Sequence, residues 1–159
     1  MSIKEQIKYD ELVDMDELSE AIADLNSEER MELAKELFPN FKFKAVKMGV
    51  NRNGANEYRV TVQNNDSKFS TKFTDSIYNS QRGEKSDDFN MLYCIILDAE
   101  AYDTSASLED FADDFGYDLY EDRKKTEKIF NACEKQYNNL IKLFGTDGYR
   151  VLRELTYNF

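Results

Sequence analysis

The chain has 159 residues, a net charge of −11, two cysteines and no histidine. Its length predicts one domain spanning residues 1–159, and its hydrophobic fraction of 41% predicts a packed core rather than a disordered acidic chain. The absence of histidine excludes Ser-His-Asp and Cys-His catalysis and His-ligated zinc, so we expect neither an enzyme nor a bound cofactor.

Residues 1–40 predict two helices. In the first, apolar residues recur every three or four positions, at Leu12, Met15, Leu18, Ile22 and Leu25. The second helix begins after Asn26, a good N-cap residue, and Glu29 three positions later completes a capping-box pattern. Its apolar stripe consists of Met31, Ala34, Leu37 and Phe38, and Pro39 ends it.

Residues 41–74 change to a period of two, which predicts strands with one buried face. Apolar residues alternate with basic or polar ones at 41–46 and 58–63, and Asn-Gly and Asn-Asn-Asp turn sequences follow these stretches. We therefore expect a three-stranded antiparallel meander whose third strand covers about 68–73. Its solvent face should carry four basic residues, Lys42, Lys44, Arg59 and Lys72.

The stretch 76–86 is rich in serine, asparagine and glutamine and predicts a mobile loop. Ser86 is then the candidate N-cap of a buried helix containing Phe89, Leu92, Tyr93 and Ile96, although the apolar run at 91–97 is equally compatible with a strand. At seven residues, this run is too short to cross a bilayer.

Residues 86–159 predict a helical half that packs on one sheet face, which gives an α+β fold. Ser107 and Gly116 delimit a short helix, whose inward-facing residues are expected to be Leu108, Phe111 and Phe115. The longest helix follows, with Asp118 as its candidate N-cap and Gly145 as its end.

Cys94 and Cys133 each lie in an apolar helical stripe and are expected to be reduced core residues. The first nine residues include Lys4, Glu5 and Lys8, a pattern unlike a secretion signal. These features predict a cytoplasmic protein that does not bind membranes.

Charge is distributed along the chain in blocks. Residues 1–32 carry 11 acids and 3 bases, 33–85 carry 5 and 10, 86–122 carry 12 and none, and 123–159 carry 4 and 8. Ten carboxylates in the third block form what we call the acidic block: Asp98, Glu100, Asp103, Glu109, Asp110, Asp113, Asp114, Asp118, Glu121 and Asp122. Such a surface repels itself and repels nucleic acid, so it predicts a basic protein as the partner.

Three other interpretations of these acids remain open. Charge runs are often solvated helix faces that favour solubility. The carboxylates at 114–122 can in principle hold calcium or magnesium, but they lack EF-hand spacing, which favours a capping role for Asp118. A metal-dependent nuclease needs an acid near an Asp-x-Lys sequence, and Glu57 with Asp66-Ser67-Lys68 fits part of that pattern.

The basic residues also have two interpretations. Those on the predicted sheet either protect an edge from aggregation or clamp an acidic partner or an RNA backbone. The cluster that follows the acidic block is expected to pair within its own helix; it consists of Arg123, Lys124, Lys125 and Lys128.

A pattern of residues within 101–145 carries a family resemblance. It comprises Ala101, Tyr102, Asp103, Phe111, Phe115, Gly116, Tyr117, Asp118, Arg123, Ile129, Cys133 and Phe144. The segment resembles a domain of uncharacterised bacteriophage and mobile-element proteins, which implies such an origin for this chain. In size, acidity and lack of catalytic residues, the whole chain looks like a small anti-CRISPR protein.

This resemblance and the acidic block predict an inhibitor of host defence that acts in the cytoplasm of a bacterial cell. Its expected target is a type II RNA-guided effector nuclease, because such enzymes present basic channels for nucleic acid. Carboxylates on a rigid helix can occupy sites spaced for phosphates and so block DNA binding or cleavage, without direct binding to nucleic acid. The alternatives are a phage accessory interaction module and a metal-dependent nuclease.

Overall fold

The computed structural model describes residues 20–156 and 159, and it confirms the α+β fold. Residues 20–23 are helical and are followed by α1 (Ser27–Leu37), β1 (Lys42–Val50), β2 (Asn56–Asn64), β3 (Ser67–Thr74), α2 (Ile77–Gln81), α3 (Asp88–Asp103), α4 (Leu108–Phe115) and α5 (Leu119–Glu154). Of the first predicted helix, Leu12, Met15 and Leu18 lie outside the described residues, whereas Ile22 is fully buried. Within the described ranges, no helix is long and apolar enough to span a bilayer.

Helix α1 begins with the predicted capping box. The side chain of Asn26 accepts a hydrogen bond from the Glu29 N–H (2.8 Å), and the Glu29 carboxylate accepts one from the Asn26 N–H (3.1 Å). These two bonds satisfy backbone donors that a helix leaves unpaired at its start. The predicted second helix and its N-terminal boundary are therefore confirmed.

The side chain of Arg30 in α1 is almost completely buried. Its guanidinium donates to the backbone carbonyls of Leu155 (2.9 Å), Leu25 (3.0 Å) and Ala23 (3.4 Å), and it lies 5.2 Å from the centroid of the Phe159 ring. Burial lowers the pKa of Arg30, because a charge removed from water is harder to maintain. The three carbonyls offset this cost and join α1 to the end of α5.

The three strands form the predicted antiparallel meander in the order β1-β2-β3. Tyr58, Val60 and Val62 on β2 are buried beneath α3 and α5, so the helical half packs on one face as predicted. The register places the four predicted basic residues on the opposite, solvent-exposed face: Lys42, Lys44, Arg59 and Lys72. A bulge interrupts the β1–β2 pairing between Lys47 and Gly49.

The stretch 76–86, predicted as a loop, instead contains the short helix α2. The buried carboxylate of Asp75 organises it by accepting hydrogen bonds from the Ser86 N–H (2.9 Å), the Ser86 hydroxyl (2.8 Å), the Ser76 N–H (2.8 Å) and the Asn79 amide (3.2 Å). Burial opposes ionisation of Asp75, but these donors outweigh it and lower the pKa of the carboxyl.

The sequence predicted that Ser86 is the N-cap of α3, but Ser86 does not have this role. Its side chain faces Asp75, and the cap is Asp87, which accepts from the Asn90 N–H at 2.8 Å. The apolar run at 91–97 is helical, which settles the choice between helix and strand. The apolar face of α3 is wide because it packs against both the sheet and α5; its buried residues are Phe89, Met91, Leu92, Ile95, Ile96 and Ala99.

Helix α4 has the predicted boundaries, with Ser107 as N-cap and Gly116 in the left-handed conformation (φ 75°) at its end. Phe111 is buried as expected, but Phe115 is 51% exposed. The Phe115 ring packs on Phe111, with ring centroids 4.8 Å apart, and the remainder of the Phe115 side chain is open to solvent. The prediction that Phe115 points inward is therefore wrong.

Helix α5 starts at the predicted N-cap, Asp118, and carries the buried Cys133. At Gly145 (φ 74°, ψ 173°) the backbone leaves the helical conformation, so the long helix ends there as predicted, and the helical turns that follow bury Tyr149 and Leu152. Both cysteines are free, and burial, assisted by the charge of Asp98, raises the pKa of Cys133 to about 11.

We predict that Arg30→Ala lowers the free energy of unfolding by about 2–5 kcal/mol, because it leaves buried carbonyls without donors. Arg30→Lys should also destabilise, since an ammonium cannot reproduce the fork that reaches the carbonyls of Leu25 and Leu155. Urea denaturation measures both effects. The exposed Arg52→Ala variant is the control, and an Arg30→Ala protein as stable as that control would contradict the prediction.

We predict that Asp75→Asn lowers the free energy of unfolding by about 1–3 kcal/mol at neutral pH, through loss of charge-assisted hydrogen bonds. The pKa of Asp75 is lower in the folded than in the unfolded protein, so its ionised carboxylate contributes fully to the free energy of unfolding above the unfolded pKa, about 3.9. This stabilising contribution disappears as pH falls through the folded pKa. The difference between wild type and variant should therefore narrow below about pH 4. Asp66→Asn, in an exposed turn, is the control, and a difference independent of pH would refute this account.

An acidic surface at the junction of α4 and α5

The structure divides the acidic block into two parts. Asp98, Glu100 and Asp103 lie on α3. The other seven lie on α4 and at the start of α5, and we call them the acidic tip: Glu109, Asp110, Asp113, Asp114, Asp118, Glu121 and Asp122. The predicted binding residues therefore do not form one uniform row, and the two parts have different surroundings.

On α3, two of the three carboxylates have a cationic neighbour. Arg153 lies 3.4 Å from the Glu100 carboxylate and 3.4 Å from that of Asp103. The carboxyl of Asp98 retains access to solvent, but partial desolvation raises its pKa. Burial, together with the negative charge of Asp98, raises the pKa of the Cys94 and Cys133 thiols. Sequence reasoning missed the Arg153 pairs because fifty residues separate Arg153 from Asp103.

All seven carboxylates of the acidic tip are exposed, and none forms an ion pair within residues 20–156. The next residue along the chain is Arg123, whose guanidinium binds Glu127 at 3.0 Å on its own helix; among the described residues, it is the one member of the predicted basic cluster that forms an ion pair. Among the residues that the structure describes, no cation therefore neutralises the tip.

Five of these carboxylates have a local explanation. Asp118 caps α5 by accepting from the Tyr120 N–H at 2.8 Å. Glu109 and Asp110 lie in the first turn of α4, and Glu121 and Asp122 in the first turn of α5, where negative charge favours the helix dipole. These five acids stabilise helix starts whether or not a partner binds.

Asp113 and Asp114 have no such explanation. They lie in the last turns of α4, where the helix dipole disfavours negative charge. Each also follows an acid of the first turn by four positions, Glu109 and Asp110 respectively, and like charges at this spacing repel. They therefore cost stability without a structural benefit, which makes them the most informative residues of the surface.

A cleft of about 560 Å³ separates α4 from the start of α5. Carboxylate-bearing residues and two tyrosines line it, among them Glu109, Asp113, Asp118, Tyr117 and Tyr120. The side chain of Tyr120 is fully exposed. Carboxylates accept bidentate hydrogen bonds from guanidinium groups, and aromatic faces stack on them, so this arrangement suits arginine side chains of a partner.

Tyr120 was not among the predicted site residues, although the sequence contains a signal for it. The buried positions of α5 include Thr126, Cys133 and Leu140, which are seven residues apart. Extending this period backwards along the sequence reaches Leu119 and not Tyr120, so the pattern leaves Tyr120 outside the buried positions. An aromatic residue out of phase with its helix is a candidate contact for a partner.

The acidic tip rests on a small aromatic cluster, which Tyr102 joins to the main core through ring contacts with Phe130 and Tyr137, each at 5.4 Å. The Phe111 ring lies 4.8 Å from Phe115, 5.1 Å from Phe130 and 6.0 Å from Tyr117, measured between centroids. The main core comprises residues of α1, the sheet, α3 and the later part of α5. The carboxylates of the tip are exposed, so their substitution leaves these ring contacts in place.

The structure gives no support to the metal-site interpretations. Within the described part of the chain, no three carboxylate or thiol groups converge as metal ligands. Glu57 and Asp66, the acids of the nuclease pattern, lie at opposite ends of β2, separated by at least seven strand residues or roughly 23 Å. Glu57 binds Lys72 at 3.2 Å instead.

We predict that the double substitution Asp113→Lys with Asp114→Lys raises the free energy of unfolding by about 0.5–2 kcal/mol at low ionic strength. It places cations in the last turns of α4 and creates favourable pairs with Glu109 and Asp110. Glu109→Lys with Asp110→Lys is the matched control, since it makes the same charge change in the first turn and should not stabilise. Equal stabilisation of both variants in urea denaturation would show that net charge, not helix position, is the cause.

Comparisons with protein-family models, curated proteins and solved structures find no match to this chain.

Proposed function

We propose that this protein is a non-enzymatic inhibitor that binds a basic nucleic-acid-binding protein through its acidic tip. The observation that carries the proposal is the pair Asp113 and Asp114, exposed acids that lie against the helix dipole and have no cation within the described residues. Residues that reduce stability without local compensation are typical of binding surfaces. A partner that supplies cations would remove this cost.

The acidic tip has properties that suit a groove lined with lysine and arginine. Its carboxylates lie on two helices held together by Phe111 and Phe130, so their positions are fixed before binding. A pre-organised surface loses little conformational entropy on association. Opposite fields also accelerate encounter, which makes the association rate sensitive to salt.

Tyr120 supplies the apolar part of such an interface. Binding energy usually concentrates in a few aromatic or arginine residues surrounded by polar contacts. A fully exposed tyrosine beside a carboxylate-lined cleft matches this pattern. We infer that Tyr120 stacks on an arginine side chain of the target. The carboxylates of Asp113 and Asp118 then accept hydrogen bonds from the guanidinium group of that arginine.

The target we propose is a type II RNA-guided effector nuclease in the cytoplasm of a bacterial host. The basic channel in which such effectors hold nucleic acid supports this choice, because it would supply the cations that the acidic tip lacks. The inhibitor would occupy cationic sites that otherwise contact phosphates, and it would thereby prevent DNA binding or cleavage.

The test is a binding assay against a panel of purified effectors, with and without guide RNA. We expect Asp113→Lys with Asp114→Lys to weaken the complex at least about tenfold, equivalent to about 1.4 kcal/mol, and to reduce the salt dependence of association. Tyr120→Ala should weaken binding by more than about 1 kcal/mol while the fold is retained.

The matched control is Glu32→Lys with Glu36→Lys, which makes the same charge change at exposed positions of α1 and should bind like wild type. Equal losses in both double variants would mean that net charge, and not the acidic tip, controls binding. A chain that binds no effector but associates with phage replication or virion proteins would replace the proposal with an accessory interaction module.

A further inference from the structure

Strand β1 is the open edge of the sheet. Among the described residues it pairs only with β2 and has no strand on its other side. The opposite edge is β3, which α5 contacts through a hydrogen bond from the Gln136 amide to the Thr71 hydroxyl at 3.0 Å. Backbone donors and acceptors along one side of β1 are therefore available for another strand.

The exposed side chains of β1 include three large apolar residues. Val46 is 48% exposed, Met48 55% and Val50 59%. Edge strands are usually blunted by charge, proline or short length, and this nine-residue strand has no proline. Its protection against pairing with another strand consists of the bulge after Lys47 and of three lysines, Lys42, Lys44 and Lys47. The lysines repel a basic strand but attract an acidic one.

The outer face beside this edge is strongly basic. The β-sheet register places five cations on it, namely Lys42, Lys44, Arg59, Lys68 and Lys72. Glu57 is the one carboxylate on the same face within the three strands, and it is paired with Lys72. Arg59 and Lys72 are direct cross-strand neighbours, an arrangement of like charges that costs stability.

We propose that the β1 edge binds an extended segment of another protein that alternates acidic and apolar residues, which adds as a fourth strand. The regular register at 42–47 offers six residues for pairing before the bulge. Alternate side chains of an added strand point to the outer face, where carboxylates meet Lys42 and Lys44. The apolar residues between the carboxylates point to the inner face, beside the half-buried Phe43 and Ala45.

Two other occupants use these features less well. A second copy pairing through β1 would bring the three lysines of each edge together, and like charges across strands are unfavourable. A nucleic acid would use the lysines but would leave the backbone donors and acceptors at the edge of β1 without a strand partner. This surface is independent of the acidic tip, because it has the opposite sign and lies on different elements.

The test uses a blocked eight-residue peptide of alternating Glu and Val and a matched peptide of alternating Lys and Val. Fluorescence anisotropy should detect binding of the Glu peptide only, and amide hydrogen exchange should show new protection within residues 42–47. Lys42→Glu with Lys44→Glu should weaken binding at least tenfold. Lys124→Glu with Lys125→Glu, at exposed positions of α5, makes the same charge change and should bind like wild type.

Several outcomes would overturn the proposal. Equal binding of both peptides would remove the role of the lysines, and binding without protection in β1 would indicate a contact with the sheet face alone. A single-stranded RNA that binds while the Glu peptide does not would identify the surface as a phosphate site. Concentration-dependent dimerisation with protection of 42–47 would identify a second copy as the occupant. Because no acidic tip residue is changed, these results leave the proposed function untouched.

Discussion

The buried guanidinium of Arg30 is the contact on which the rest of this fold depends. It is held by carbonyls from both ends of the described chain, at Ala23, Leu25 and Leu155. A guanidinium removed from water has few other ways to satisfy its donors, so the end of α5 is fixed against α1. With both ends joined, α3 is enclosed between the sheet, α1 and α5, which explains its wide apolar face.

Local patterns in the sequence correctly predicted those structural features that depend only on residues close together in the chain. The capping box at Asn26, the alternation in β1 and β2, and the glycine at the end of α4 each require only a few adjacent positions. Distant partners could not be read in this way. The burial of Arg30, the donors around Asp75 and the pairing of Arg153 with α3 all depend on how separate segments meet. The acidic tip was likewise predicted by counting charges, but its division from the α3 acids requires the fold.

The molecule combines two surfaces of opposite charge. The outer sheet face is basic and the acidic tip is negative, and the chain contains no histidine, the side chain that most often serves as a pH switch. Ionic strength, rather than pH, is therefore the variable to which both surfaces respond. Both also contain like-charge neighbours, so the fold stores repulsion at two separate places, at Asp113 and Asp114 and at Arg59 beside Lys72.

The length of α5 places the acidic tip far from the point where this helix contacts the sheet. From Asp122 to Gln136, whose amide contacts the sheet, the helix rises about 21 Å. A helix with its side chains is about 10–12 Å wide, and α4 packs beside α5 at this end, so the acidic tip is about two helices across. The rise of about 21 Å exceeds the Debye length of about 8 Å at physiological ionic strength, so charges on the acidic tip are largely screened from those near the sheet.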